Sequence, residues 1–271
     1  MKKALTIAGS DTCGGAGIQA DLKTFSAHGV YGMSVITAVT AQNTQGVFGV
    51  LDVTVDIIEK QIDAIFDDID VDAVKIGMVS QTDTIKTIAS TLKKYSTKNI
   101  VLDPVMISKS GYDLLKPEAK EALISELIPL ATIITPNAPE AEVITGIKIE
   151  SIQDMEEAAK KIYDLGVENV LVKGGHLSLE SKEAIDVLYN GQDFRYYKSP
   201  IIETKNTHGT GCTLSSAIAS NLALGNNIER SVELAKSYIT IAIENSFSIG
   251  KGVGPTHHFY ELYKKAGLLS E

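Results

Sequence analysis

The sequence predicts an α/β fold of three layers, with a mostly parallel central sheet, helices on both faces and an antiparallel edge. Short β-branched runs alternate with amphipathic segments along most of the 271 residues, the pattern of parallel strands joined by crossover helices. Polar residues gather just after those runs, where ligands of such sheets bind. Asn190-Gly191 stands between two strand-like runs, 184–189 and 193–198, and is the strongest hairpin signal in the chain.

In chain order, residues 4–8 read as a buried strand and the glycine-rich stretch 9–17 as a turn. The turn lacks the G-x-G-x-x-G order and no acid ends the following strand, which argues against a dinucleotide loop. A helix over 18–28 places Ile18, Leu22 and Phe25 on one face. Asp21 falls beside that stripe, where a solvated charge or a first-turn dipole partner is the plain reading. Residues 32–41 form a second β-branched run that stops at Gln42-Asn43-Thr44. An amide such as Gln42 can read the donor and acceptor edge of a small heterocycle without the desolvation penalty of a charge. A turn held by Asn43 is the alternative.

The spacing then predicts helices over 54–69, with Thr54 at its N-cap, and over 82–95. Strands follow at 73–77, entering Gly77-Met78, and at 99–103. Helices over 114–127 and 151–165 and strands over 131–135 and 167–172 continue the alternation. The hairpin extends the sheet, so residues 1–271 are expected to form one domain. Gln42, Asp103, Asn137, Glu140 and Lys173-Gly-Gly-His176 all fall at expected strand ends.

Asn206-Thr-His-Gly-Thr-Gly-Cys212 opens a run without a charged side chain from 207 to 228, expected to be a helix lying against a core. The first turn of a helix leaves about four N–H groups without helical partners. Gly209 and Gly211 let those groups converge on an anion of phosphate size, or else form an ordinary turn before a buried helix. A helix over 227–245 lies beside it, glycines at 250–255 break the chain, and a short helix ends it.

Composition narrows the function. The formal charge of −9 opposes wholesale nucleic-acid binding, and no apolar stretch reaches the roughly 18 residues of a membrane span. The short apolar start is expected to be a strand rather than an export signal. Cys13 and Cys212, the two cysteines, lack metal-site or disulfide spacing and fit a reducing compartment. Phosphoryl transfer needs positive charge at the migrating group, oxygen ligands for Mg²⁺ and a positioned acceptor. Lys173, the carboxylates of Asp21, Asp103 and Glu140, and the opening at 207–212 supply those types. The Walker A order and the protein-kinase signatures are absent.

Six blocks in order, among them Ala8-Gly-Ser-Asp-Thr-Cys-Gly-Gly-Ala-Gly17, Val101-Leu-Asp-Pro-Val-Met106, Thr135-Pro-Asn-Ala-Pro-Glu140 and Thr207-His-Gly-Thr-Gly-Cys-Thr213, resemble the hydroxymethylpyrimidine/phosphomethylpyrimidine kinases of thiamine biosynthesis. These belong to the ribokinase-like superfamily. The resemblance implies ATP- and Mg²⁺-dependent phosphorylation of 4-amino-5-hydroxymethyl-2-methylpyrimidine and then of its monophosphate. Pyridoxine and pyridoxal kinases of the same branch are the alternative. It further implies an anion hole at Gly209, Thr210, Gly211 and Cys212, with Thr207 beside the nucleotide, and acids near the reacting groups at Asp21 and Asp103. A pyrimidine contact is implied at Gln42, with Gly9, Ala16, Val39 and Met78 around it. Asn137 and Glu140 match the Mg²⁺-phosphate motif, bound through water, and Lys173 and Lys236 match nucleotide contacts. A monovalent cation is a candidate further cofactor, and a cytoplasmic homodimer is the expected assembly.

Cys212 stands where sugar kinases of the superfamily have an aspartate base. A helix N-terminus lowers a thiol pKa from about 8.5, whereas neighbouring phosphates oppose a thiolate, so base and positioned hydrogen-bond partner both stay open. Cys13 reads as loop packing, and His208 as a backbone-facing histidine or a phosphate contact.

Overall fold

Strand side chains alternate between two cores, and that alternation builds the layers. The computed structural model describes residues 1–106, 118–175 and 183–269. The first half contains β1 (Lys3–Ala8), α1 (Gly17–Ala27), β2 (Tyr31–Ile36), β3 (Ala38–Asn43), β4 (Gly46–Asp52), α2 (Val55–Phe66), β5 (Ala73–Ile76), α3 (Thr82–Lys94) and β6 (Ile100–Leu102). Next come α4 (Ala119–Ala122), β7 (Ile133–Ile134), α5 (Ala138–Thr145), α6 (Ile152–Tyr163) and β8 (Val170–Lys173). The chain then runs through β9 (Glu183–Tyr189), β10 (Phe194–Pro200), α7 (Thr210–Ala223), α8 (Ile228–Glu244) and α9 (Tyr260–Lys265).

The eight-stranded sheet has the order β10-β9-β8-β7-β6-β5-β1-β2. It is parallel from β2 to β8, and β9 and β10 add the antiparallel edge. Leu5, Ile7, Val74, Ile76, Leu102 and Val170 pack under α2, α3, α4 and α6. The intervening Ala4, Ala73, Val101, Ile133 and Leu171 pack under α1, α7 and α8. Because α7 is lined with Ser215, Ser216, Ala217, Ala219 and Ser220, all fully buried, it lies close on the sheet. Its lack of charge is thereby explained.

Three elements differ from the expectation. The run 32–41 is two strands: the chain turns out of the sheet at Thr37, whose hydroxyl donates to the Met78 carbonyl at 2.9 Å. Beyond it β3 pairs antiparallel with β4 in a separate two-stranded sheet, and Asn43 Oδ1 accepts from the Gln45 amide at the turn between them. Gln42 therefore lies on a hairpin above the sheet rather than at the end of a sheet strand. Helix α5 was not expected, although Asn137 and Glu140 form a capping box at its start. The expected helix over 114–127 is described only from 118, where α4 passes into a wider π turn over Leu123–Leu127. His176 lies outside the described residues. Thr54 takes the N-cap position of α2 without a side-chain capping bond.

Candidate active site

The carboxyl ends of β1, β5, β6, β7 and β8 deliver Gly9, Gly77, Asp103, Asn137 and Lys173 to one rim of the sheet, facing the start of α7. Gly209, the N-cap of α7, has φ 77°, and a Cβ there would run into the Gly15 carbonyl. Glycine is required by both facts, and it brings the 9–17 loop against the first turn of α7. At Gly211 a Cβ would stand 3.5 Å from both Asp103 Oδ2 and Lys173 Nζ. The opening of α7 thus faces an ammonium directly. Lys173 Nζ donates to Asp103 Oδ1 at 3.1 Å. Burial pulls the Lys173 pKa down, but Asp103 and Glu140 hold it above the ordinary lysine value, so Lys173 stays an ammonium, paired with the Asp103 carboxylate. Thr135 and Ser215 hydroxyls also donate to Asp103, at 3.3 and 3.4 Å.

Cys212, half-buried, follows on α7. Burial pushes its thiol up to about 11; Lys75 opposes this, while Asp21 and Asp103 add to it. The lowering expected of a helix N-terminus is therefore overcome, and the thiol is neutral near pH 7. Lys75 is a contributor that the sequence reading missed. It sits in β5, fully buried, and donates to both oxygens of Asp21 at 3.0 Å. Asp21 is not solvated: Thr6 and Ser216 hydroxyls donate to it at 2.6 and 2.7 Å. This cluster ties α1, β1, β5 and α7 together beneath the loop. Its one detectable signal was a lysine inside the four-residue strand Ala73–Ile76.

Asn137 Oδ1 accepts from the Glu140 amide at 2.9 Å, and Glu140 Oε2 accepts from the Asn137 amide at 2.8 Å. Burial raises the Glu140 pKa to about 7, against the pull of Lys173. Lys236 Nζ on α8 donates to Asp186 Oδ2 at 2.7 Å, and Asp186 Oδ1 accepts from the Gly174 amide at 3.2 Å. Lys236 thus reaches the loop after β8 through Asp186. The Thr207 carbonyl accepts from the Thr210 hydroxyl at 2.8 Å, closing the loop on itself.

On the other side of this loop, the Met78 methyl fills the space a side chain at Gly9 would need. The hairpin is fastened to the 9–17 loop by Ser10 N–H to Ala38 O at 2.8 Å and Thr40 Oγ1 to Ser10 O at 2.8 Å. Gln42 lies 3.4 Å from His208 Nε2. His208 is buried and contacts Asp11 Oδ2 at 2.8 Å through the same nitrogen, so a side-chain partner replaces the backbone-facing role. Asp11 Oδ2 also accepts from Gly15 and Ala16 amides at 2.9 and 2.7 Å. Met78 thus packs on Gly9, and Ala16 and Gln42 are linked through Asp11 and His208. Val39, 49% exposed, alternates away from Ala38 and Thr40. Asp11, Cys13 and His208 place oxygen, sulfur and nitrogen within 4.8 Å, a metal-like set. Asp11 already accepts from the Cys13, Gly15 and Ala16 amides, from His208 and from the Cys13 thiol, which leaves no lone pair for an ion.

The sequence profile of one protein family, described as phosphomethylpyrimidine kinase, matches residues 11–257. The chain belongs to the phosphomethylpyrimidine kinase family. Within that family it is 52% identical over 264 residues to a hydroxymethylpyrimidine/phosphomethylpyrimidine kinase of Rhizobium meliloti, covering 96% of this chain and 98% of the relative. The crystal structure of a phosphomethylpyrimidine kinase from Clostridium difficile 630 shares 60% identity with a TM-score of 0.80, over 90% of this chain and 100% of that one. The ADP complex of Bacillus subtilis pyridoxal kinase shares 45% identity with a TM-score of 0.89, over 96% of this chain and 98% of that one. The proteins similar to this chain are thus named for two heterocycles, and the ribokinase-like fold is common to both.

Proposed function

We infer that the chain is an ATP-dependent kinase that phosphorylates 4-amino-5-hydroxymethyl-2-methylpyrimidine and then its monophosphate, giving the diphosphate used in thiamine biosynthesis. One observation carries this reading. The loop 206–212 is shared: its His208 end meets Gln42 and Asp11, and its Gly211 end meets Lys173 and Asp103. A heterocycle on one side and phosphates on the other are neighbours there. Transfer joins the hydroxymethyl oxygen to the γ-phosphorus, breaks the bond to the β-phosphate oxygen and releases the hydroxyl proton. Lys173 and the opening of α7 hold the phosphoryl oxygens. Cys212 is a neutral thiol contact on the reacting side rather than a standing base, and the proton leaves late in a loose transition state. Thr207 and the Lys236–Asp186 pair steady the loops that meet the nucleotide.

Mg²⁺ bound with the nucleotide neutralises phosphate charge. Glu140 and Asn137 fit it through water, because Asn137 Oδ1 and one Glu140 oxygen are already committed to the cap of α5. A monovalent cation belongs to the same reading and is tested by replacing K⁺ with a bulky organic cation. The kinase is one domain, 1–271, in a cytoplasmic homodimer. Among the described residues no helix is long and apolar enough to cross a membrane, and both cysteines are free. Phe48 and Leu51, each 71% exposed, and Val39 on the hairpin offer an apolar face for a second copy. Sedimentation of the parent as a dimer and of Leu51→Asp as a monomer supports that face; an unchanged dimer removes it.

The pyridoxal-kinase reading is favoured by the higher TM-score of the Bacillus subtilis structure. Steady-state comparison of hydroxymethylpyrimidine, pyridoxine and pyridoxal decides between the two. The higher kcat/KM is expected for the pyrimidine, and a preference for pyridoxal would reverse the order.

A further inference from the structure

We propose that His208, locked in one tautomer by Asp11, fixes which end of the Gln42 amide faces the heterocycle, and so is a specificity-determining positioning residue. This rests on the reading in which Gln42 contacts the heterocycle. Asp11 is ionised: burial opposes its charge, but hydrogen bonds from His208, Cys13 and the Ala16 amide hold its pKa down to about 2. An ionised carboxylate only accepts. The nitrogen 2.8 Å from it, His208 Nε2, must then carry a proton, whether the ring is neutral or charged.

That proton dictates the amide. The Gln42 end 3.4 Å from Nε2 is assigned as nitrogen, which would set two donors against each other. Oxygen and nitrogen of an amide are distinguished by their hydrogen-bond network rather than by position. The consistent arrangement turns Oε1 toward the Nε2 proton, shared between Asp11 and Gln42, and leaves the NH₂ group at the far end. The free donor then suits a ring nitrogen, and the second lone pair of Oε1 suits an exocyclic amine beside it. A reversed amide would oppose the same ligand at both positions. The ring cannot swing away to release the lock, because it packs against Gly15, where even a Cβ would collide with it. Asp11 is itself fixed by the Cys13, Gly15 and Ala16 amides.

Two measurements test this. The ¹⁵N spectrum of selectively labelled histidine in the full-length protein should show His208 Nε2 protonated from pH 6 to pH 8; a bare Nε2 overturns the proposal. In a double-mutant cycle with the hydroxymethylpyrimidine, His208→Phe keeps the ring but removes the donor, and His208→Gln restores a donor near the same place. His208→Phe should raise KM about tenfold, with a smaller effect on kcat. His208→Gln should recover most of that loss, and His208→Phe should add nothing in a Gln42→Leu background. An equal loss in both backgrounds refutes the coupling. Should His208→Phe fail to fold, failure of His208→Gln to keep KM within about threefold of the parent overturns it instead. A parental KM in Gln42→Leu removes the Gln42 contact and this proposal, while transfer to the pyrimidine would still stand; no transfer by the parent protein removes the functional reading itself.

Discussion

Replacing Lys75 with methionine should destabilise the protein severely, although the side chain touches no solvent. Lys75 and Asp21 are both fully buried, and the ammonium lies 3.0 Å from each carboxylate oxygen. Lys75→Met leaves Asp21 with only the Thr6 and Ser216 hydroxyls. Removing one partner of a buried ion pair costs about 3–5 kcal/mol, because the remaining charge loses its counter-ion without regaining water. For a chain of this size that is a fall in Tm on the order of 10 °C. Burial lowers the Lys75 pKa, but Asp21, Cys212 and Asp103 hold it above the ordinary lysine range. A lysine raised in the folded state contributes stability that is full below the unfolded pKa and is lost only as pH rises through the higher folded value. The loss in the variant should therefore be constant from pH 6 to pH 9. Scanning calorimetry of the parent, Lys75→Met and Lys75→Met/Asp21→Asn measures it. The double variant should recover most of the Tm, since the introduced asparagine accepts from one hydroxyl through its oxygen and donates its NH₂ to the other, without a bare charge. A single variant within about 2 °C of the parent, or a double variant no better than the single, would refute the reasoning.

Glu140 gives a pH signature of opposite origin. Its folded pKa is raised from 4.5 to about 7, so its contribution to stability is full below the unfolded value and is lost as pH rises through 7. In metal-free protein, denaturation midpoints should decline over that window in the parent but not in Glu140→Gln, and identical profiles would contradict this. Gly211→Ala should fold normally, because the added methyl meets Asp103 and Lys173 at 3.5 Å, an ordinary contact. Its turnover should nonetheless fall by about tenfold or more through crowding of the anion site, and parental kinetics would sink the phosphate contact. For Cys212, the rate of alkylation in the resting enzyme should rise with a midpoint near 11, and Cys212→Ser should keep activity within about tenfold. A midpoint near 7 with a loss beyond about 10²-fold would restore the base.

The layers were legible because the two-residue alternation in strands and the apolar stripes of helices are local properties. Asn190-Gly191 fixed the edge hairpin in the same way. What escaped was set by distant partners. The run 32–41 has no charged residue or proline to mark a break, and it turns at Thr37, where the hydroxyl meets the Met78 carbonyl. In Asn137-Ala-Pro-Glu140 the capping-box spacing was present, yet only a role toward Mg²⁺ was drawn from it, so α5 went unseen. Lys75 reads as a polar interruption of a strand, and only Asp21 on α1 gives it a place. Cys212 was read from its position at the start of a helix, whereas burial decides its pKa. His208 could be placed in the loop but not paired, since Asp11 and Gln42 are remote in sequence.

The account is tested most directly by the second phosphorylation. Purified protein incubated with ATP, Mg²⁺ and the hydroxymethylpyrimidine monophosphate is followed by ³¹P NMR, with pyridoxal in a parallel reaction. A pyrophosphate signal attached to the pyrimidine should grow in step with ADP, and it should vanish in Lys173→Ala. ADP formation without that signal, alongside efficient conversion of pyridoxal to its phosphate, would contradict the assignment.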